Sequence, residues 1–155
     1  MHRSTKRWLV YCLGGIVFGV ADWHFLQLRV VIPWQRLSGN SSLGQLLLLP
    51  VIVGLNWGIW LVPVVPVAVH EARRSASVWL SAVAAMVVWC TAVLAYYLYY
   101  TILIAFRGLP HMESLLVLRE HSATFWQDWS ATFRSLILGP VAEWIIVAVV
   151  GGAIV

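Results

Sequence analysis

The sequence predicts an all-α integral membrane protein: a bundle of four transmembrane helices, with an amphipathic interfacial helix between the third and fourth. Three observations predict it. Hydrophobic residues make up 61% of the chain and charged residues only 10%, whereas soluble chains carry about 25% charged residues. Four apolar runs each approach or exceed the ~20 residues that a helix needs to cross a ~30 Å hydrocarbon core. An aromatic segment at helical spacing separates the last two runs. Four spans and their connections consume the whole length, so residues 1–155 form a single transmembrane domain.

The first helix is expected at about 8–28, from Trp8 to Leu28, behind the basic residues Arg3, Lys6 and Arg7. A basic start, an apolar stretch and Gly19-Val20-Ala21 also fit a cleavable signal peptide. Apolar residues continue past that point through Trp23, Phe25, Leu26 and Leu28, which favours a retained span. The second helix is expected at about 44–69, with kinks or local unwinding at Pro50, Pro63 and Pro66. A tight charged turn, His70-Glu71-Ala72-Arg73-Arg74-Ser75, leads to the third helix at about 78–106. The fourth occupies about 136–155, with Gly139-Pro140 loosening its backbone just before Glu143.

Between the third and fourth runs, Ser122-Ala123-Thr124-Phe125 recurs as Ser130-Ala131-Thr132-Phe133. Phe125, Trp129 and Phe133 stand at i, i+4 and i+8. This predicts a surface helix over about 112–134, lying on the membrane over the mouth of the bundle. The Lys and Arg residues divide five and five across the membrane, so their count gives no orientation. Their density favours a cytoplasmic N-terminus, because Arg3, Lys6, Arg7, Arg73 and Arg74 crowd against helix ends.

Packing faces are legible as small-residue pairs. Gly15 and Gly19 in the first helix, and Gly54 and Gly58 in the second, match the spacing that lets membrane helices approach closely. In the third, Ser81, Ala85, Val88, Ala92, Ala95 and Tyr99 form a mostly small-sided stripe at heptad spacing. Asp22 follows Gly15 and Gly19 at i+7 and so belongs to the tight-packing face.

Two apolar runs carry a carboxylate, Asp22 in the first and Glu143 in the last. A charged residue costs about 2.5–3.5 kcal/mol near the bilayer centre, so such groups face protein or water. Asp22 lies about 21 Å along its helix from Trp8, and Glu143 about 10 Å along its helix from Leu136. Both depths fall in the outer half, with Asn56 nearer the middle and Tyr96 and Tyr99 toward the outer end. These five residues are the candidate binding set for a substrate or proton, in a half-buried polar cavity open to the outside.

Other chemistries find little support. The net charge of +4 comes from residues scattered at segment ends, with no basic stripe for nucleic acid. Cys12 and Cys90 lie inside apolar runs without CxxC spacing and read as packed thiols. His24, His111 and His121 with Glu113 and Glu120 lack ligand spacing such as HExxH, so no metal is expected. His24 and His70 sit toward opposite membrane ends, which argues against haem, and no cofactor is expected.

In size and helix number the chain resembles the lipoprotein signal peptidases, which use two aspartates in Asn- and Asp-containing motifs. Its only aspartates, Asp22 and Asp128, stand in unmatched surroundings, so no enzymatic activity is expected. The small multidrug-resistance transporters share a four-helix plan and an acidic first helix, but they are shorter and place a Glu differently. The expectation is therefore a multi-pass protein of the bacterial cytoplasmic (inner) membrane. Its role would be that of a transport-accessory or membrane-complex subunit, partnered by the lipid bilayer and by a second copy or another membrane protein. The alternative is a small transporter that binds a proton, cation or cationic solute at Asp22 and Glu143.

Overall fold

A computed structural model of the chain describes residues 2–31, 42–56, 58–107, 110–111, 114–118, 121 and 123–154. The helices are α1 (His2–Val31), α2 (Ser42–Asn56), α3 (Leu61–Ser75), α4 (Val78–Arg107), α5 (Phe125–Phe133) and α6 (Gly139–Ile154). Two short strands, β1 (Pro110–His111) and β2 (Ser114–Leu118), pair antiparallel. Three helical stretches are long and apolar enough to cross a membrane: Thr5–Leu26, Val78–Phe106 and Phe125–Val150. The bent pair Leu48–Leu55 and Gly58–Ser75 makes a fourth if it counts as one pass.

Helix α4 is the axis of the molecule, with α1, α3 and α6 all packed on it. The buried residues form a column along its length. Ala84 and Val88 meet Tyr11 near one end, Ala92, Val93 and Tyr96 meet Trp23 and Trp60 in the middle, and Ile104 meets Phe125 and Ile137 at the other end. The α1–α4 contact is the closest. A methyl group at Gly15 would overlap the Thr91 hydroxyl and the Val88 carbonyl, and one at Gly19 would overlap the Ala92 carbonyl. Small side chains there bring two backbones together, and an i, i+4 row on each helix (Tyr11, Gly15, Gly19, Trp23 against Ala84, Val88, Ala92, Tyr96) forms the seam.

The other glycine pair differs from the expectation. A methyl group at Gly54 or Gly58 would meet nothing within 4 Å, so neither residue serves packing among the described residues. The second apolar run is not one helix over 44–69 but two, α2 and α3, inclined at 41° and joined through a 3₁₀ turn at Gly58–Trp60. Pro63 supplies the reason. A proline clashes with the carbonyl four residues back, which here would be Ile59, and it has no N–H to donate there. Within the first turn of α3 that missing donor costs nothing. Pro50 and Pro66 are instead accommodated inside α2 and α3.

The region between α4 and the last span also differs. No helix fills 112–134: Ser114–Leu118 is a strand, and helix begins only at Phe125. α4 ends at Arg107, shortly before Pro110, and Leu115-Leu116-Val117-Leu118 has no helical alternation of polar and apolar faces. Nor is the aromatic segment a separate surface helix. It is the opening of the last long helix, which passes from α5 through a π turn at Arg134–Leu138 into α6. The π turn meets the needs of Pro140, which cannot donate to the preceding turn. Gly139 donates its N–H to the Arg134 carbonyl, and the widened turn carries the axis past the proline. The aromatic residues Phe125, Trp129 and Phe133 therefore pack beside Ile104, Tyr97 and Tyr100.

The α3–α4 turn is short and strongly bonded. Ala76 adopts a left-handed conformation (φ 50°), and its N–H returns to the Ala72 carbonyl. Ser75 Oγ donates to the Glu71 carbonyl at 2.8 Å, and Ser81 Oγ donates to the Ala68 carbonyl at 2.7 Å, linking α4 to α3. Alanine pays a steric cost in that conformation that glycine does not.

Two outcomes are expected in detergent unfolding experiments. Gly19→Val should destabilise the fold by about 1–3 kcal/mol through overpacking, while Gly54→Ala should have little effect. Ala76→Gly should be neutral or stabilising, by up to about 1 kcal/mol. Equal losses for Gly19→Val and Gly54→Ala would contradict the α1–α4 seam.

Candidate functional site

Three carboxylates in apolar surroundings define the chemistry available, and their settings differ sharply. Glu71 opens the charged stretch of α3, one turn before its C-terminus, and its side chain is fully buried. The Tyr11 hydroxyl donates to Glu71 Oε2 at 2.9 Å, and Arg7 Nη1 stands 3.1 Å from Oε1. Arg7 and Tyr11 are one turn apart on α1, so a single face of that helix supplies both partners. The Arg7 guanidinium also lies over the Trp8 ring at 5.7 Å. Arg7 Nε and Glu71 Oε1 are both buried without a hydrogen-bond partner among the described residues, so the 3.1 Å contact is an ion pair outside hydrogen-bond geometry rather than a bidentate fork.

Asp22 lies on the α1 face that meets α4 and is only 3% exposed. It interacts with a neighbouring group and is not an isolated charge. Beside it, Trp23 is buried and makes edge contacts with His24 and Tyr99. His24 Nε2 and the Tyr99 hydroxyl share a hydrogen bond of 3.1 Å.

Glu143 is exposed, on α6. It makes no hydrogen bond or ion pair among the described residues. Ile146 and Val150 follow at i+3 and i+7 on the same face and are 61% and 52% exposed. The carboxylate thus stands on an outward apolar stripe, near enough to Tyr97 of α4 for its charge to be felt there.

The space between the helices that carry Asp22 and Glu143 is filled by aromatic rings. Trp60, raised into the bundle by the 3₁₀ turn, is 5% exposed. Phe18 of α1 meets it edge-on at 5.6 Å, and Trp144 of α6 stacks on it at 5.4 Å with 20° between the planes. Trp89 and Tyr96 of α4 complete the cluster at 5.8 and 6.1 Å. Offset and edge contacts of this kind add to the energy of apolar burial.

Of the expected binding set, the structure therefore brings Asp22 and Tyr99 to neighbouring positions, with Tyr96 in the aromatic cluster below them. Glu143 stands on another surface, and the Asn56 side chain lies outside the described residues. Gly15 and Gly19 pack as the spacing implied. The third-helix stripe is divided: Val88 and Ala92 face α1, while Ser81 and Ala85 face a groove beside α3. The Arg7–Tyr11–Glu71 cluster escaped sequence reasoning because Glu71 sits in a turn-like charged sequence. The available signal was the i, i+4 pair of Arg7 and Tyr11 on the Gly15 face. His121 also has a structural partner: its Nε2 donates to the Ile104 carbonyl at 3.1 Å, satisfying one of the orphan acceptors that end α4.

Comparison with protein-family models, with curated proteins and with solved structures gave no match. Function must therefore be argued from the geometry alone.

Removing one member of the buried pair should leave the other charge without compensation. Glu71→Ala or Arg7→Ala should each destabilise by about 3–5 kcal/mol, while the double replacement Arg7→Met, Glu71→Leu should cost far less than their sum. Thermal unfolding in detergent measures both. Additive losses would show that the 3.1 Å contact carries no coupling.

Proposed function

We propose that this chain is a multi-pass protein of the bacterial cytoplasmic membrane, acting as a non-catalytic subunit or transport accessory that docks a membrane partner through α6. One observation carries the reading: Glu143 is an exposed carboxylate on an apolar helical face. Facing lipid near the bilayer centre, it would cost about 2.5–3.5 kcal/mol on insertion scales. A partner helix that offers a hydroxyl, amide or basic side chain removes that cost, and the flanking Ile146 and Val150 supply apolar contact. The partner is a second copy or a different membrane protein.

The Arg7–Glu71 contact supports the orientation. It holds the N-terminal end of α1 beside the end of α3, so Arg3, Lys6, Arg7, Arg73 and Arg74 belong to one end of the bundle. A cluster of that sign at one end favours the cytoplasmic side.

The second reading, a small transporter working through Asp22 and Glu143, draws on the burial of Asp22 beside the His24–Tyr99 pair. The Phe18–Trp60–Trp144 stack weighs against it, because aromatic rings fill the space between α1 and α6.

Purification in mild detergent with mass determination separates the two. On the docking reading, wild type carries a stoichiometric partner or a second copy. Glu143→Leu loses it, while Asp22→Asn keeps it. On the transport reading, neither substitution changes the mass, and Asp22→Asn abolishes proton-coupled uptake in liposomes. A wild-type monomer with Asp22-dependent flux would overturn the docking reading.

A further inference from the structure

A groove of about 360 Å³ runs between α3 and α6 with α4 as its floor. That volume lies in the range of small-molecule sites. Val64, Val65, Ala68 and Val69 line one wall, Ala82 and Ala85 the floor, and Val147 and Ala148 close the inner end near Trp89. Its polar lining is confined to Ser81, whose hydroxyl is already committed to the Ala68 carbonyl, and to Trp89, whose indole N–H is buried without an acceptor among the described residues. Water gains little in such a groove, whereas an aliphatic chain fits it.

The length and the mouth narrow the occupant further. From Ser81 to Trp89 the floor rises by about 12 Å, close to the ~15 Å depth of one leaflet's hydrocarbon. The outer end opens at the α3–α4 turn. There the row Leu61, Val65, Val69 continues at i+4 spacing to Arg73. Arg73 is exposed and forms no ion pair among the described residues. Arg74, 100° further round, turns toward the Tyr11–Glu71 side instead. The apolar wall of the groove thus leads, one turn beyond Val69, to Arg73, which has no ion pair among the described residues.

We propose that this groove holds one acyl chain of an anionic phospholipid, drawn from the leaflet on the side of the α3–α4 turn, with its phosphate on the Arg73 guanidinium. The guanidinium makes paired N–H bonds to phosphate oxygens. The small side chains of Ala68, Ala82 and Ala85 leave the room for the chain. The inference rests on the membrane reading above but not on the docking of a partner.

Native mass spectrometry of the full chain in non-ionic detergent tests it, with equal amounts of dioleoyl phosphatidylglycerol and dioleoyl phosphatidylcholine. Wild type should retain a single phosphatidylglycerol in preference to phosphatidylcholine. Arg73→Gln should lower that preference about fivefold, the loss of one basic contact near the surface. Arg73→Lys should keep most of it, and Ala85→Phe, which fills the groove, should remove the adduct of both lipids.

Unchanged preference in Arg73→Gln overturns the proposal. So does a full adduct in a folded Ala85→Phe protein. If Ala85→Phe fails to fold, the exposed Arg73 variants decide alone. A dimer that Ala85→Phe abolishes, without any lipid preference, would assign the groove to a second copy. Release of the chain from membranes by alkaline carbonate would overturn the membrane reading itself, whereas a membrane-embedded chain without lipid preference overturns only this site.

Discussion

The approach of α1 to α4 at Gly15 and Gly19 is the constraint on which the rest depends. With no side chain at either position, the α1 backbone comes close to the carbonyls of Val88 and Ala92. That contact fixes the rotation of α1 about its own axis. One turn toward the N-terminus, the same face must then present Tyr11 and Arg7, and they meet Glu71. One turn the other way it presents Asp22 and Trp23, which are buried beside Tyr99 and Tyr100. A larger residue at Gly19 would disturb two polar sites about three turns apart, because both are read off one i, i+4 row.

The three carboxylates show how differently one chain handles a charge in apolar surroundings. Glu71 is wholly enclosed, yet it has a cation and a hydroxyl within 3.1 Å. Such a pair contributes little net stability over an apolar substitute, because desolvation offsets most of the attraction. Its worth is in register: the rotation of α1 against α3 decides whether Arg7 and Tyr11 both reach Glu71. Asp22 is enclosed by the same face and engaged by a neighbour. Glu143 has neither enclosure nor an ion pair within the described chain. The same energetics that make Glu71 and Asp22 intelligible as internal links leave Glu143 the most exposed of the three, with only the nearby Tyr97 to feel its charge. This asymmetry is what favours docking over a shared carboxylate site.

Much of this was legible in the sequence where the signal was local. Apolar run length gave α1 and α4 almost as they stand, and the Gly15–Gly19–Asp22 spacing identified the buried face of α1. Prolines marked the trouble in the second run, but not its form. Sequence gives the clash at Pro63; it does not say that the resulting turn lifts Trp60 into the bundle. The aromatic segment misled for a similar reason. Phe125, Trp129 and Phe133 at i, i+4 and i+8 fit a helix on a surface and a helix packed on α4 equally well. Only the proximity of Ile104, Tyr97 and Tyr100 decides between them. Glu71 and Arg7 are 64 positions apart, and no local pattern connects them.

The break at Gly58–Trp60 then explains why α2 and α3 divide their duties. The 3₁₀ turn displaces the chain at mid-run and carries Trp60 into the bundle interior. Four rings from three other segments close round it: Phe18, Trp89, Tyr96 and Trp144. Trp89 and Tyr96 share one face of α4, while Phe18 and Trp144 come from α1 and α6, so the cluster ties the three helices together. Beyond the break, α3 is held to α4 through Ser81 and the Ala76 turn. The cost of this arrangement falls on the far side of α3. Drawn toward α1 by Glu71 and toward the axis by Trp60, it cannot also close against α6, and the groove lined by Val65, Ala85 and Val147 is the space left over. An interior organised by one tryptophan and one buried ion pair therefore leaves an apolar slot at its edge, one turn short of the exposed Arg73.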